Sequence, residues 1–425
     1  MKLLVVGGGG REHAIIKKLK ENPQVETVYA LPGNGGIAAD AVCVPEIGAK
    51  ETAKIVDFAK AHEINFAVVA PDDPLALGCV DRLHEAGIPC FGPDAKAARI
   101  EASKVFAKNL MKKYGIPTAR YEVFRDPGAA LEYLRGASFP IVVKADGLAL
   151  GKGVLIPQNL EEAEAAVKSI MEDKTFGDSG NEIVIEEFLT GPEVSVLAFT
   201  DGTAIAPMVS SMDHKRAGDG DTGPNTGGMG TVAPNPCYTP EIAQICMEKI
   251  FLPTLAAMRA EGCPFKGCLY FGLMITPDGP KVIEYNCRFG DPETQVVLPL
   301  LKTDLLTVMQ AVENGTLDRL NVEWHSGAAA CVILASAGYP GSYEKGKVIA
   351  IPEDLPENVA VYHAGDKLAE GRLVTNGGRV LGVTATGETL EAALKDAYAA
   401  TERVEFEGKY LRHDIGKRAL SAMEG

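Results

Sequence analysis

Residues 1 to about 100 alternate short apolar runs (LLVV, TVYA, FAVVA, PCFG) with segments of helical period such as HAIIKKLKEN and ETAKIVDFAKAH. No other feature restricts the fold of the chain as much. Strands separated by single helices run parallel, because each helix returns the chain over the sheet, and the product is a doubly wound parallel sheet. Ligands of such sheets sit beyond the carboxyl ends of the strands. Two segments occupy such ends here, the glycine cluster Gly7 to Gly10 and Ala70-Pro71-Asp72-Asp73. After Pro93 the stretch DAKAARIEASKVFAKNLMKKYG reads as one helix, stopped by Gly115 and Pro117.

A chain of 425 residues is too long for one ordinary core, and at about 150 residues per domain it divides into about three. The pattern places a Rossmann-like N-terminal domain at 1–101, a middle domain at 102–325 with a small α+β lobe at 118–190, and a mostly-β domain at 326–425. The lobe is read from IVVKAD, GVLIP, the helix LEEAEAAVKSIMED and EIVIEEFL. The rest of the middle domain contributes EVSVLAFTDG, AIAPMVS, a long polar loop (DHKRAGDGDTGPNTGGMG), and the pair CLYFGLMIT and PKVIEYNCRFGD with a Pro277-Asp278-Gly279 turn between them. Beyond Trp324, AAACVILAS, KVIAIP, VAVYHAGDKL and GGRVLGVTATG read as strands, closed by a helix from Leu390.

Apolar residues at 46% and charged residues at 23% are those of a folded soluble protein, and a net charge of −15 argues against nucleic acid or an anionic membrane as the main partner. The apolar run after Lys2 is too short for a leader, and no stretch approaches the ~20 residues of a membrane span, so a cytoplasmic location is expected. The nine cysteines include no CxxC pair and imply buried, reduced thiols without zinc. Of the seven histidines, only His13 and His214 sit in motif-like surroundings.

Phosphate chemistry is suggested by residues 140 to 154, PIVVKADGLALGKGV. A β-branched strand presents Lys144 as a fixed cation. The glycines Gly147, Gly151 and Gly153 around Lys152 let backbone amides approach phosphate oxygens, and a loop of this kind can close as a lid. It is not a P-loop, because Asp146 stands at the first glycine position and Gly153 replaces the hydroxyl. The N-terminal KLLVVGGGGREHA is not a dinucleotide fingerprint either: Glu12 occupies the third glycine position, and no acid closes the next strand.

In VIEYNCRFGDPET, Glu284, Asn286 and Arg288 lie two residues apart, so on a strand they share a face. A carboxylate and an amide oxygen suit Mg²⁺, which shares its shell with substrate phosphates, and the arginine can grip an anion bidentately. A solvent-facing edge strand is the plain alternative. Around IVIEEFLTGPE, backbone groups from Glu186 to Leu189 could read an adenine edge and Glu193 could take ribose hydroxyls. Lys104 is ordinary helix surface until something places it near phosphate.

Taken together, GGGGREHA, IEASKVFAK, VVKADGLALGKGV, IEEFLTGPEVSV, DHKRAGDGDTGPNTGGMG, EYNCRFGDPETQ and TNGGRVLGVTA closely resemble the phosphoribosylamine–glycine ligase family of the ATP-grasp superfamily. The resemblance runs from residue 1 to about 418, and DTGPNTGGMG and NCRFGDPETQ are its most specific parts. It implies an ATP-grasp central domain whose lobe at 118–190 is a mobile lid. It implies a ligase that uses ATP and Mg²⁺ or Mn²⁺ to join glycine to 5-phosphoribosylamine, with small molecules as its partners and no obligatory protein partner. The length fits a monofunctional form. On that pattern Lys104, Lys144, Gly147, Gly151, Lys152, Gly153, Glu186, Glu187, Phe188 and Glu193 hold ATP, and Glu284 with Asn286 holds the metal. Asp213, Lys215, Asn225 and Thr226 are implied for the acceptor side, joined by Arg288, Asp291 and Glu293. Arg288, Lys144, Asp291 and Glu293 are the implied catalytic set, and Gly9, Gly10, Arg11, Glu12, Lys367 and Arg372 the contacts of the phosphoribosyl group.

The chain departs from the family pattern in three places. Ala70-Pro71-Asp72 stands where Gly-Pro-Glu is usual, Phe271-Gly272 where many relatives carry an acid beside the metal strand, and Leu150 where alanine is commoner. The second departure predicts a metal with few protein ligands. The alternatives are another ATP-grasp carboxylate–amine ligase and a nucleotide sensor without turnover; the presence of Glu284, Asn286 and both loop lysines gives the sensor no support.

Overall fold

The computed structural model describes residues 1–148 and 153–424. Its N-terminal sheet is five-stranded and wholly parallel, in the spatial order Val42–Cys43, Thr27–Pro32, Lys2–Gly7, Phe66–Val69, Cys90–Phe91. Leu3, Leu4, Val5 and Val6 are fully buried, as a central strand covered on both faces requires. The strand order reverses between Lys2–Gly7 and Phe66–Val69, so the glycine cluster and Asp72 emerge side by side at the crevice where such sheets take ligands. The two-residue edge strand Val42–Cys43 had no pattern by which to be seen.

The segment after Pro93 is two helices, Ala95–Ala102 and Lys104–Tyr114, where the sequence suggested one. Ser103 breaks them with extended φ −133° and ψ 111°, and its hydroxyl accepts from the Phe106 amide at 3.0 Å. A serine cap competes well with continued helix at such a point. The break makes Lys104 the first residue of a new helix, while Gly115 in left-handed conformation (φ 67°) ends it as expected.

The lobe carries an antiparallel sheet in the order Tyr121–Phe124, Ile183–Glu187, Ile141–Ala145, Val154–Leu155. Ile141, Val143, Ala145, Ile183 and Ile185 pack against Ala130, Leu134, Ala163 and Val167 of its helices. Strand alternation therefore turns Lys144 and Glu186 to the opposite face. Facing them is a second antiparallel sheet, ordered Ile205–Pro207, Glu193–Asp201, Lys266–Thr276, Gly279–Asn286. Gly279–Asn286 is its edge. The pairing slips there, with Gly272 opposite Glu284 but Leu273 opposite Val282, so that Ile283 bulges out of the ladder.

The C-terminal sheet is not built from its own segment alone. Its order is Met212–Asp213, Gly230–Ala233, Ala328–Ser336, Arg379–Gly387, Val359–His363, with Lys409–Tyr410 also paired to Ala328–Ser336. The first two strands come from the middle of the chain and bracket the polar loop, which contains a hairpin, Arg216–Gly218 against Thr222–Asn225, where the sequence suggested only loop. Leu390–Arg403 covers this sheet through Leu390, Ala393, Leu394 and Ala397. KVIAIP forms only isolated bridges at Val348 and Ala350, and VAVYHAGDKL splits into Val359–His363 and a separate hairpin, Asp366–Ala369 with Arg372–Thr375.

Candidate active site

A cavity of about 670 Å³ lies where the lobe, the second sheet, the 213–226 loop and the carboxyl ends of the N-terminal sheet meet. One end is a box of cations. Lys144 Nζ donates to the Ile283 carbonyl that the bulge releases (3.1 Å) and pairs with Glu186 Oε1 at 3.0 Å. Lys108 Nζ pairs with Glu186 Oε2 at 3.0 Å and donates to Thr118 Oγ1 at 2.7 Å. Lys104 Nζ donates to the Gly147 carbonyl at 2.7 Å. Lys108 and Lys144 thus share one carboxylate, and Lys104 stands beside them on a backbone carbonyl. Burial pushes Lys104 down from its ordinary range, and burial together with neighbouring Lys144 brings Lys108 to about 8 against the pull of Glu186.

Opposite stand Glu284, Asn286 and Arg288, all three lining the cavity, the first two on one face of the strand as their spacing predicts and Arg288 just past its end. Lys215 Nζ lies 3.4 Å from Glu284 Oε1. Lys215, then Lys144 and Lys104, hold the Glu284 carboxyl down at about 2, while Glu284 in turn raises Lys215. Arg288 Nη2 donates to Glu101 Oε1 at 2.9 Å and to Asn286 Oδ1 at 3.3 Å, and Glu101 Oε2 also accepts the Cys287 amide at 2.8 Å. Buried Nε of Arg288 has no hydrogen-bond partner among the described residues. The donor set for a cation is one carboxylate and one amide oxygen. No group of three His, Cys, Asp or Glu could hold an ion among the described residues, and Phe271 and Gly272 beside the metal strand add no ligand. Two hard oxygens fit Mg²⁺ or Mn²⁺ only as an ion that completes its shell with phosphate oxygens and water.

The other end gathers Asp213, Lys215, Asn225, Thr226, Tyr270, Asp291 and Glu293. Tyr270 donates to Glu293 Oε1 at 3.0 Å and shares a 2.7 Å hydrogen bond with Ser195. Burial, then the charge of Glu293, raises Asp213 well above the carboxylate range. Asp291 is largely engaged: it accepts from Gln295 Nε2 at 2.7 Å and faces Arg379 Nη2 at 3.5 Å. Burial opposes its ionisation, but Arg379 and Arg11 outweigh that and hold it low.

Gly147, Gly153, Glu186, Glu187, Phe188 and Glu193 also line the cavity; Gly151, Lys152 and Leu150 lie outside the described residues. The Glu187 carboxylate is taken by Arg120 at 2.8 Å. Arg11 reaches the cavity, but Glu12 does not: buried, it accepts the Gly9 amide at 2.7 Å and pairs with Arg11 Nε at 2.7 Å, so it shapes the turn. Gly9 and Gly10 abut the same wall, since a Cβ there would stand 3.4 Å from Asp291 Oδ2 and 2.6 Å from Gln295 Nε2 respectively.

Lys367 and Arg372 are not brought into the cavity. Their hairpin folds down on residues 34–36, where Asp366 accepts the Gly35 and Gly36 amides, and both side chains are exposed. Arg379, from the same segment, does line the cavity, bonding the carbonyls of Gly227 and Asp291 at 2.8 Å each. His13 and His214 prove to be buried joints between segments: His13 Nε2 meets Asp40 at 2.9 Å and Nδ1 accepts the His363 amide, while His214 Nε2 accepts the Gly416 amide. Sequence reasoning missed Lys108, Glu101, Tyr270 and Arg379. Only Lys108 carried a local signal, one helical turn from Lys104 on the same face.

A cavity between two antiparallel sheets, faced by Lys144 from one, Lys104 and Lys108 from the adjoining helix and an acid–amide pair from the other, is the arrangement of an ATP-grasp protein. The chain belongs to the phosphoribosylglycinamide synthetase family, whose N domain matches residues 1–101, ATP-grasp (A) domain 102–294 and C domain 329–418. It is 48% identical to a phosphoribosylamine–glycine ligase of Caldanaerobacter subterraneus subsp. tengcongensis over 98% of this chain and 99% of the relative. It is 49% identical to the bifunctional purine biosynthetic protein PUR2,5 of Pichia angusta over 99% of this chain, and spans 54% of that longer protein and 42% of the trifunctional purine biosynthetic protein adenosine-3 of Gallus gallus. The crystal structure of phosphoribosylamine–glycine ligase from Thermotoga maritima superposes with a TM-score of 0.87 at 39% identity, covering 98% of this chain and 100% of that one. The biotin carboxylase domain of Hydrogenobacter thermophilus 2-oxoglutarate carboxylase shares the fold at 17% identity and a TM-score of 0.74, over 96% and 91% of the two chains. Among the described residues no helix is long and apolar enough to cross a membrane.

Proposed function

We propose that the chain joins glycine to 5-phosphoribosylamine at the expense of ATP, yielding glycinamide ribonucleotide, ADP and phosphate. The observation that carries this reading is the convergence of Lys104, Lys144, Glu284, Asn286 and Arg288, from three separate segments, on one cavity whose far end holds the acidic group Asp213, Asp291 and Glu293. A carboxylate is a poor electrophile, so the glycine carboxylate first attacks the γ-phosphorus to give glycyl phosphate and ADP. The substrate amine then attacks the acyl carbon, and phosphate leaves. No protein nucleophile is needed.

Lys144 and Lys104 stand where they spread the charge of the transferring phosphoryl group, and the free Nε of Arg288 is available to the oxygens of glycine or of its acyl phosphate. Glu284 and Asn286 would hold Mg²⁺ or Mn²⁺, which neutralises phosphate charge when bound. Asp213 and Glu293 suit an ammonium group, and Asp213, raised by burial and by Glu293, ionises more readily once a cation arrives. Arg11 and the turn shaped by Glu12 border the entry for the phosphoribosyl group. Gly147 and Gly153 belong to a lid that, closing, would keep water from an acyl phosphate that hydrolyses readily.

Incubation with Mg-ATP, glycine and freshly generated phosphoribosylamine is expected to release phosphate only when all three are present. Equal release with alanine in place of glycine would move the reading to another carboxylate–amine ligase, and no release would favour a nucleotide sensor.

A further inference from the structure

We propose that Arg412 is a positioning residue for the acceptor end of the site, holding the 213–226 loop in register with the metal strand from a segment almost 200 residues further along the chain. Arg412 is 1% exposed and is the bulkiest of the fully buried side chains. A buried guanidinium is tolerable only when its donors are spent, and here they are. Nε and Nη2 fork onto Asp414 at 2.8 and 2.9 Å, and Nη1 donates to the Arg216 carbonyl at 3.1 Å and to Asp221 Oδ1 at 3.0 Å.

Neighbours of Arg412 repeat the same attachment. Tyr410 donates to the Ala217 carbonyl at 2.6 Å, the His413 amide to Asp219 at 2.7 Å, and Asp414 accepts the Gly220 amide at 2.8 Å. The Gly416 amide donates to His214 Nε2 at 3.1 Å, and Arg418 Nη1 pairs with Asp221 at 3.3 Å. A short stretch of chain, Tyr410 to Arg418, is thus strapped across the hairpin of the loop.

The strap ends one residue from the chemistry. Arg216, whose carbonyl Arg412 holds, follows Lys215, whose Nζ lies 3.4 Å from Glu284. The Lys215 carbonyl in turn accepts the Thr226 amide at 2.7 Å and its hydroxyl at 2.8 Å. Moving the Arg216 carbonyl therefore moves Lys215 and Thr226 together. A lysine at 412 could not reproduce the fork, because its single ammonium lacks the planar pair of donors that Asp414 accepts.

The kinetic part of the test rests on the ligase reading, so a readout independent of turnover accompanies it. In Arg412→Met, hydrogen exchange of the His214, Thr226 and Met229 amides is expected to rise at least tenfold over the parent, with exchange in Gly279–Asn286 unchanged. The KM for glycine should rise at least tenfold while the ATP dissociation constant stays within about twofold. Loop exchange equal to the parent's overturns the proposal whether or not the chain is a ligase. Weakening of ATP and glycine by the same factor also overturns it, since that marks a general loss of structure. If Arg412→Met does not fold, Asp221→Asn decides by the same readouts, because asparagine tolerates the left-handed backbone of that position (φ 54°) and removes only the charge that Arg412 and Arg418 hold. A parent that shows loop protection but no three-substrate turnover would end the ligase reading and leave the exchange result to judge the strap.

Discussion

The two ends of the cavity are built on opposite principles. At the nucleotide end Lys108 and Lys144 meet one carboxylate, Glu186, Lys104 joins them on the Gly147 carbonyl, and burial pushes both Lys104 and Lys108 down. At the acceptor end Lys215 faces Glu284 and Arg379 faces Asp291 with Asp213 and Glu293 in excess, and the loops that carry them are tied to a distant part of the chain. The contrast teaches that one end is tuned by charge and needs little scaffolding beyond two strands and a helix. The other is tuned by position and depends on the C-terminal sheet. Sites that stabilise developing charge gain most where the charges are fixed in place before substrate arrives.

The sharpest way to break this comparison is at Glu284, where the two ends meet. Glu284→Ala should lower phosphate release by about 10²–10³-fold, the usual cost of removing a group that stabilises developing charge. Turnover within a few-fold of the parent would show that Glu284 holds no metal. Next in size, Lys144→Met should weaken ATP by roughly 10- to 100-fold, as expected for one charge-assisted contact. Equal ATP binding by calorimetry would mean that the box is structural.

Acid and alkali should separate the ends. His214, buried behind the acceptor loop and facing Arg418, Arg412 and Asp221, is pushed by burial and those arginines from its ordinary 6.5 to about 4. As pH falls below 6.5 the unfolded chain takes the proton and the folded one refuses it, so stability is complete above 6.5 and is lost between 6.5 and 4, by about 2 kcal/mol at pH 5 for this ring. His13, lowered to about 4 by burial, adds a parallel loss at the seam with His363. His214→Gln should flatten part of the acid limb in a chemical denaturation series; an unchanged limb would remove His214 from the account. In the other direction, Lys108 at about 8 loses its proton between pH 7 and 9, and ATP affinity should fall a few-fold across that span. Affinity flat to pH 9 would mean that Lys108 contributes no charge to the box. Smallest of all, Ser103→Ala should cost about 1 kcal/mol through loss of the helix cap, read from the first unfolding transition in urea.

Much of this was legible in the order of residues. The parallel sheet followed from strand–helix alternation, and the shared face of Glu284 and Asn286 followed from a spacing of two, while Arg288 lies past the end of the strand. Other parts were hidden for physical reasons. The serine that splits the helix at 103 lies inside an unbroken helical period, and only its competing hydrogen bond with Phe106 reveals it. Lys367 and Arg372 were expected at the site through the family resemblance alone, yet the hairpin that bears them turns onto residues 34–36. Arg379 sits a few residues further along in the same segment, and no local pattern distinguishes the three.

The sequence by itself determined the N-terminal parallel sheet and most of the longer strands and helices, with the polar face of each, because periodicity and turn chemistry act over a few residues at a time. Tertiary structure alone decided that Lys108 and Lys144 share Glu186, that Glu101 holds Arg288, and that Arg412 reaches back to the hairpin at 216–221. Those pairings join residues far apart in the chain, and what selects them is the cost of burying a charge without its partner, which arises only once the whole fold has closed.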